Sequence, residues 1–140
     1  MEKQTYTYDE AFAKSLEYFK GDELAARVWV NKYAVKDSFG NIYEQSPEDM
    51  HWRLANEVAR VEAKYTNGLS AQELFELFDH FKYIVPQGSP MAGIGNEFQL
   101  ASLPKCFVIG REGAADSYGA SIRLDEEQVQ LMKRRGGVGH

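Results

Sequence analysis

The 140-residue sequence predicts an α+β fold in two parts, helical over residues 1–85 and mixed over 86–140. Three observations predict it. Apolar residues recur at helical spacing in four separate stretches as far as Phe81. Glycine and proline crowd the chain from Pro86 to Asn96, and the period stops there. Beyond them a short apolar run, Phe107-Val108-Ile109, leads to one more helical pattern and a closing Gly136-Gly137-Val138-Gly139 turn.

The first helix is expected from Asp9 to Phe19, with Phe12, Leu16 and Phe19 on one face. Gly21-Asp22 breaks it and caps a second, whose stripe holds Leu24, Val28 and the row Ala25, Trp29, Tyr33. Lys36 to Asn41 is a turn, with Gly40 and Asn41 free to take unusual backbone angles. Ser46 then offers an N-cap, Pro47 suits the first helical position, and Glu48-Asp49 set negative charge on the positive end of the helix dipole. Met50, Leu54, Val58 and Val61 carry that third helix to about Tyr65, and Asn67-Gly68 ends it. Ser70 and Glu73 form a capping box for the fourth, with Leu74, Phe75, Leu77, Phe78 and Phe81 inward. Tyr83-Ile84-Val85 reads as a short β-like run stopped by Pro86, and 87–96 shows no helical period. Cys106 leads the strand candidate 107–109, residues 111–116 read as loop, and 118–124 are ambiguous. Asp125 to Arg135 is expected to be helical, with Val129 and Met132 inward.

Composition narrows the classes of function. Apolar residues at 44% and charged residues at 26% are those of an ordinary globular domain. A net charge of -5 argues against a nucleic-acid partner, whose backbone calls for a basic surface. No apolar run reaches the length of a membrane span, the first residues lack the form of a secretory signal, and a single cysteine suits a reducing compartment. A cytoplasmic location with no membrane partner is expected.

Taken singly, the residues that could carry chemistry are ambiguous. His51, His80 and His140 lie far apart without companion ligands, so no metal site is expected, and His51 and His80 read as helix-surface residues. Gly93-Ile94-Gly95 lacks the rest of a dinucleotide fingerprint or P-loop and reads as a tight turn, which sets a Rossmann-type fold aside. Cys106 beside an apolar run is most often a small buried hydrophobe; a redox role needs a thiolate-promoting neighbour, and Lys105 is only a hint of one. Asp116-Ser117 is a loop pair or helix N-cap, and Lys133-Arg134-Arg135 before glycine reads as a basic last turn with its C-cap.

In order, however, these motifs resemble the large, catalytic subunit of ribonucleotide reductase. Pro86-Gln87-Gly88-Ser89-Pro90-Met91-Ala92-Gly93 is similar to the turn that leads into that family's catalytic barrel. Lys105-Cys106 before an apolar strand, then Asp116-Ser117, then Gly136-Gly137-Val138-Gly139 follow in the family's order. The helix expected from Leu24 to Lys36, the Asp37-Ser38-Phe39-Gly40-Asn41 turn and the Ser46-Pro47-Glu48-Asp49-Met50 helix start resemble its N-terminal helical domain. Lys105 departs from the serine that many relatives carry, and no ATP-cone sequence precedes the helices, so on/off control through that module is not expected.

The resemblance implies a helical N-terminal domain, 1–85, followed by the first strand and helix of a ten-stranded α/β barrel, 86–140, which is incomplete here. It implies an oxidoreductase acting on CH/CH2 groups with a disulfide acceptor. Such an enzyme reduces ribonucleoside diphosphates to deoxyribonucleotides for DNA replication, and it is an allosteric, nucleotide- and ATP-binding protein. Cys106 would be one of two redox thiols, Ser89 would meet the substrate diphosphate, and Gly137 would let the backbone approach the base. Asp116, Ser117, Tyr118 and Lys133 would line the dNTP effector site at the interface of a homodimer. The segment is expected to bind no cofactor itself. The full enzyme would need a radical generator, either a metal-containing small subunit or adenosylcobalamin, and a thioredoxin- or glutaredoxin-type reductant. The thiyl-radical cysteine and the second redox thiol would lie in the remaining barrel segment, so this segment is not expected to turn over alone. The alternative is a non-enzymatic helical interaction module with a flexible glycine-rich tail.

Overall fold

The computed structural model describes residues 4–110 and 116–139, which form six α-helices and one pair of parallel strands. Helices α1 (Tyr8–Tyr18), α2 (Glu23–Lys32), α3 (Pro47–Glu62) and α4 (Ala71–Phe78) build the body, and a 3-10 turn, Asp79–Phe81, closes α4. A short α5 (Gly88–Gly93) precedes β1 (Cys106–Val108), α6 (Tyr118–Lys133) and β2 (Gly137–Gly139). Among the described residues no helix is long and apolar enough to cross a membrane.

Local chemistry sets the helix starts. Thr7 and Glu10 form a capping box on α1, and Ser70 and Glu73 form the expected one on α4. Asp22 accepts from the Ala25 amide at the start of α2. Pro47 opens α3, but Ser46 makes no side-chain cap; Asp49 instead reaches back to the Gln45 amide at 2.9 Å. The 37–41 turn is held by Asp37, which accepts from the Phe39 and Asn41 amides and the Tyr43 hydroxyl, with Gly40 at φ +88°. The chain is extended on either side of this turn, and Ile42 bridges both Lys36 and Tyr6.

The core joins Ala11 of α1, Trp29 and Val30 of α2, Met50, Leu54 and Ala55 of α3, and Leu74 and Phe78 of α4. Each fully buried Met, Leu or Val contributes roughly 1.5–3 kcal/mol, and the Trp29 indole donates to the Met50 sulfur at 3.4 Å. Helix α1 turns inward Ala11 and Ser15, with Phe12 and Phe19 packed beside them. Helix α2 turns inward Ala26, Trp29 and Val30, leaving Leu24 and Val28 exposed, contrary to the predicted stripe. The small alanines let α1 and α2 close on one another. Helix α2 also stops at Lys32, short of the expected Lys36, because 34–36 turn toward Ile42. On α3, Val61 is exposed in the last turn.

Two further expectations are corrected. Tyr83, Ile84 and Val85 form no strand and are exposed; the Tyr83 and Ile84 amides both donate to the Leu77 carbonyl and finish α4. Residues 88–93 are a single helical turn where no helix was predicted. Pro90 is harmless there, since first-turn amides need no intrahelical partner. Tertiary contacts hold the turn, with Ala92 buried and Met91 and Ile94 packed on the core.

Strands β1 and β2 run parallel, pairing Cys106 with Gly137, Phe107 with Val138 and Val108 with Gly139. A parallel pair needs a crossover, and α6 lies within it. Tyr118 to Lys133 is one continuous helix, with Ser117 as its N-cap. Its buried residue is Leu124; Val129 and Met132, expected inward, are exposed because the two three-residue strands cover so little of the helix. At its C-terminus the left-handed position falls on Arg135 (φ 69°), one residue before the expected glycine. Gly136 is needed for space: a Cβ there would stand 2.8 Å from the Phe107 ring.

Candidate functional site

The predicted site residues fall on the β1–α6–β2 unit and on α5. Cys106 is a free, exposed thiol at the start of β1, so the buried-hydrophobe alternative is excluded. Its register partner is Gly137. Paired residues on neighbouring strands point to the same face, so the missing side chain at 137 leaves open the place beside the thiol. A Cβ at Gly137 would come 3.2 Å from the Lys105 carbonyl, which already accepts from the Gly137 amide. The fold therefore brings Cys106 and Gly137 together. Ser89 is buried in α5.

Asp116, Ser117 and Tyr118 gather at the start of α6. Ser117 is occupied as an N-cap, accepting from the Ala120 amide at 3.1 Å, and the Tyr118 ring is exposed. Lys133 is at the opposite end, about 22 Å away at 1.5 Å per residue. One copy of the chain does not bring these four residues together. Gly93-Ile94-Gly95 proves to be the end of α5 and a turn, with Gly95 at φ +69° against Arg53. His140 lies outside the described residues, as do 111–115 of the predicted loop.

Sequence reasoning missed two polar clusters in the helical body. In the first, His51 is fully buried on α3, not a surface residue, and sits on the face shared by Met50, Leu54 and Ala55. Its Nδ1 lies 3.3 Å from the Tyr18 hydroxyl, which donates to Asp79 at 3.1 Å and accepts from the His80 amide at 2.7 Å. Among the described residues His51 Nε2 has no hydrogen-bond partner. Burial pushes the imidazole down to about 4 and the phenol of Tyr18 upward, so both are neutral near pH 7. His80 is exposed, as expected, and stacks on Tyr18 at 4.7 Å. His80 and Phe81 both adopt positive φ, a local cost of about 1–3 kcal/mol each that this cluster over-determines. With both rings neutral, the arrangement fixes α1, α3 and the end of α4 rather than offering a charged acid or base. The signal available in the sequence was a histidine at a position where the third helix's inner face recurs.

In the second cluster, Arg53 Nε donates to Glu44 at 2.7 Å, and the other Glu44 oxygen accepts from the Val35 amide at 2.9 Å. The remaining guanidinium nitrogens donate to the Met91 carbonyl at 2.8 Å and to that of Ile94. Burial raises the Glu44 carboxyl and outweighs the guanidinium beside it. Arg53 thus ties α3 to the connector that follows Ser89. Among the described residues no group of three His, Cys, Asp or Glu side chains could hold a metal ion.

Comparison with known proteins agrees with the helical body. The family model for the ribonucleotide reductase all-alpha domain matches residues 19–97, more than half of the chain, from the end of α1 past α5. No curated protein and no solved structure matches the chain. The chain belongs to the ribonucleotide reductase large-subunit family, of which it carries the all-alpha N-terminal domain.

Proposed function

We propose that the chain is part of a ribonucleoside-diphosphate reductase, an oxidoreductase that makes deoxyribonucleotides by thiyl-radical chemistry. The observation that carries this reading is the family match over 19–97, after which Cys106 follows as an exposed thiol beside a glycine. In this reading Cys106 and a second cysteine, supplied by the remaining barrel segment, are oxidised to a disulfide. Their two hydrogens reduce the ribose, whose 2'-hydroxyl leaves as water. Ser89 meets the substrate diphosphate and Gly137 the base, while Asp116, Ser117, Tyr118 and Lys133 serve an effector site completed by a second copy. That assignment is compatible with their placement at opposite ends of α6. Residues 1–85 act as the helical domain and 86–140 as the start of the barrel, the β1–α6–β2 crossover being its first unit. A radical-generating small subunit, or adenosylcobalamin, and an external dithiol reductant complete the system. With one cysteine in 140 residues, this segment needs its partner segment to turn over.

The test is reconstitution with a polypeptide carrying the rest of a matching barrel, with deoxynucleotide formation as the readout. Activity that appears on mixing and disappears in Cys106→Ser supports the reading. Equal activity in the serine variant removes Cys106 from the chemistry, and a chain that is monodisperse and never associates favours the interaction-module alternative.

A further inference from the structure

A small cavity of about 130 Å³ lies where the end of α2, the segment after α5 and the end of α6 meet. Its charged lining is entirely basic: Lys32, Lys36 and Arg135. Asn31 and Gln99 add amide groups. Lys36 Nζ donates to the Val30 carbonyl at 2.6 Å and the Asn31 carbonyl at 3.2 Å, and Arg135 donates to the Lys32 carbonyl at 3.1 Å. The end of one helix therefore draws two cations from segments a hundred residues apart in the sequence. A helix C-terminus carries only about half a negative charge, against three positive ones. No described carboxylate forms an ion pair with any of the three. The nearest in sequence, Asp37, is committed to Phe39, Asn41 and Tyr43. Burial, and then the charge of Arg135, hold the Lys36 ammonium below its ordinary value.

We infer that this cavity is an oxyanion site that takes one phosphoryl group between Lys36 and Arg135. The cavity has the volume of about four water molecules, enough for a tetrahedral oxyanion and too little for a nucleoside. A free phosphate fills it, or a nucleotide inserts its phosphoryl tip. Guanidinium and ammonium groups are the usual partners of such an ion, through short charge-assisted hydrogen bonds. The inference is independent of the reductase reading, because it concerns equilibrium binding to this chain and no turnover.

The experiment is an NMR titration of the isotope-labelled 140-residue chain with inorganic phosphate, at ionic strength held constant with sodium chloride. Shifts are expected at residues 31–36, Gln99 and Arg135. Loss of one charged hydrogen-bond partner is expected to weaken binding about tenfold or more in Arg135→Gln. Lys32→Gln removes a lining charge whose side chain holds no carbonyl, so it reads out the site with the fold intact; a few-fold weakening is expected. A nucleoside 5'-monophosphate that moves the same amides, where the bare nucleoside does not, assigns the phosphoryl tip of a nucleotide; response to inorganic phosphate alone assigns the free ion. Shifts no larger than those of chloride, shifts centred elsewhere, or equal affinity in Lys32→Gln would overturn the inference.

Discussion

Replacing Arg53 by methionine tests a side chain that makes three hydrogen bonds across the helical body. Methionine keeps the aliphatic bulk and removes the charge, so Glu44 is left 5% exposed with one amide donor, Val35, and no cation. Breaking a buried pair by removing one partner costs about 3–5 kcal/mol. The two carbonyl contacts at Met91 and Ile94 are lost with it. At about 2–4 °C per kcal/mol for a chain of this size, the melting temperature should fall by roughly 6–20 °C. The loss depends on pH in a defined direction. Burial already raises the Glu44 carboxyl in the parent, and removing Arg53 raises it further, so the folded variant holds its proton at pH values where the unfolded chain has released it. A group raised in this way contributes stability below its unfolded value and loses it as pH climbs through the folded value. The gap between variant and parent is therefore widest near pH 7 and narrows as the pH falls toward 4.5, the ordinary value of the group. Urea titrations at both pH values measure it. Adding Glu44→Gln to Arg53→Met should recover a large part of the loss, because it removes the stranded charge. A cost below about 1 kcal/mol, typical of an exposed pair, a gap independent of pH, or a double variant less stable than the single one would refute the reasoning.

The remaining predictions concern other sites. His51 is buried and held neutral down to about 4, so protonation of the unfolded chain should remove about 3 kcal/mol as the pH falls from 6.5 to that value; His51→Leu should flatten that slope in acid urea melts, and an unchanged slope would place the titration elsewhere. Ser70→Ala removes a capping box and should cost about 1 kcal/mol in thermal denaturation. Gly136→Ala drives a methyl into the Phe107 ring and should cost about 1–3 kcal/mol. Hydrogen exchange should locate that loss at 106–108 and 137–139 and leave α1 to α4 protected. Cys106 is exposed, so an alkylating reagent should label it in the folded chain; labelling that required denaturant would contradict its position.

What could be read from the sequence was what short-range chemistry decides. The Ser70-Glu73 box, Pro47 at the start of α3 and the Asp37–Asn41 turn all rest on partners within four residues, and all appear. The strand behind Cys106 was legible as an apolar run, and its pairing with Gly137 only as an order of motifs. The Ser46 cap failed locally, with Asp49 bonding the Gln45 amide instead; most of the other failures come from a neighbour distant in the chain. Either side of α2 could have been its inner face until α1 offered Ala11 and selected Ala26, Trp29 and Val30. Tyr83-Ile84-Val85 had strand composition and no strand to pair with. The turn at 88–93 is met by Arg53, far upstream, which donates to the Met91 carbonyl within it and to that of Ile94 just beyond it. His51 stood at a recurring inner position of α3, but the partners that receive it there, Tyr18 and Asp79, lie on other elements.

These two kinds of contact divide the chain energetically. The body has a contiguous core to which α1 to α4 all contribute, and both polar clusters lock its elements to one another. The β1–α6–β2 unit has strands of three residues and a sixteen-residue helix with one buried side chain, while Val108, Ile122, Val129 and Met132 face outward. An isolated two-stranded sheet is marginal in water, and helix α6 gains little from burial to offset its ordering entropy. Protection against hydrogen exchange should therefore fall from the body to this unit, in line with local opening where buried contacts are few. Even protection across both parts would mean that the outward apolar residues are covered in solution. The Cys106–Gly137 pair lies in the weaker part.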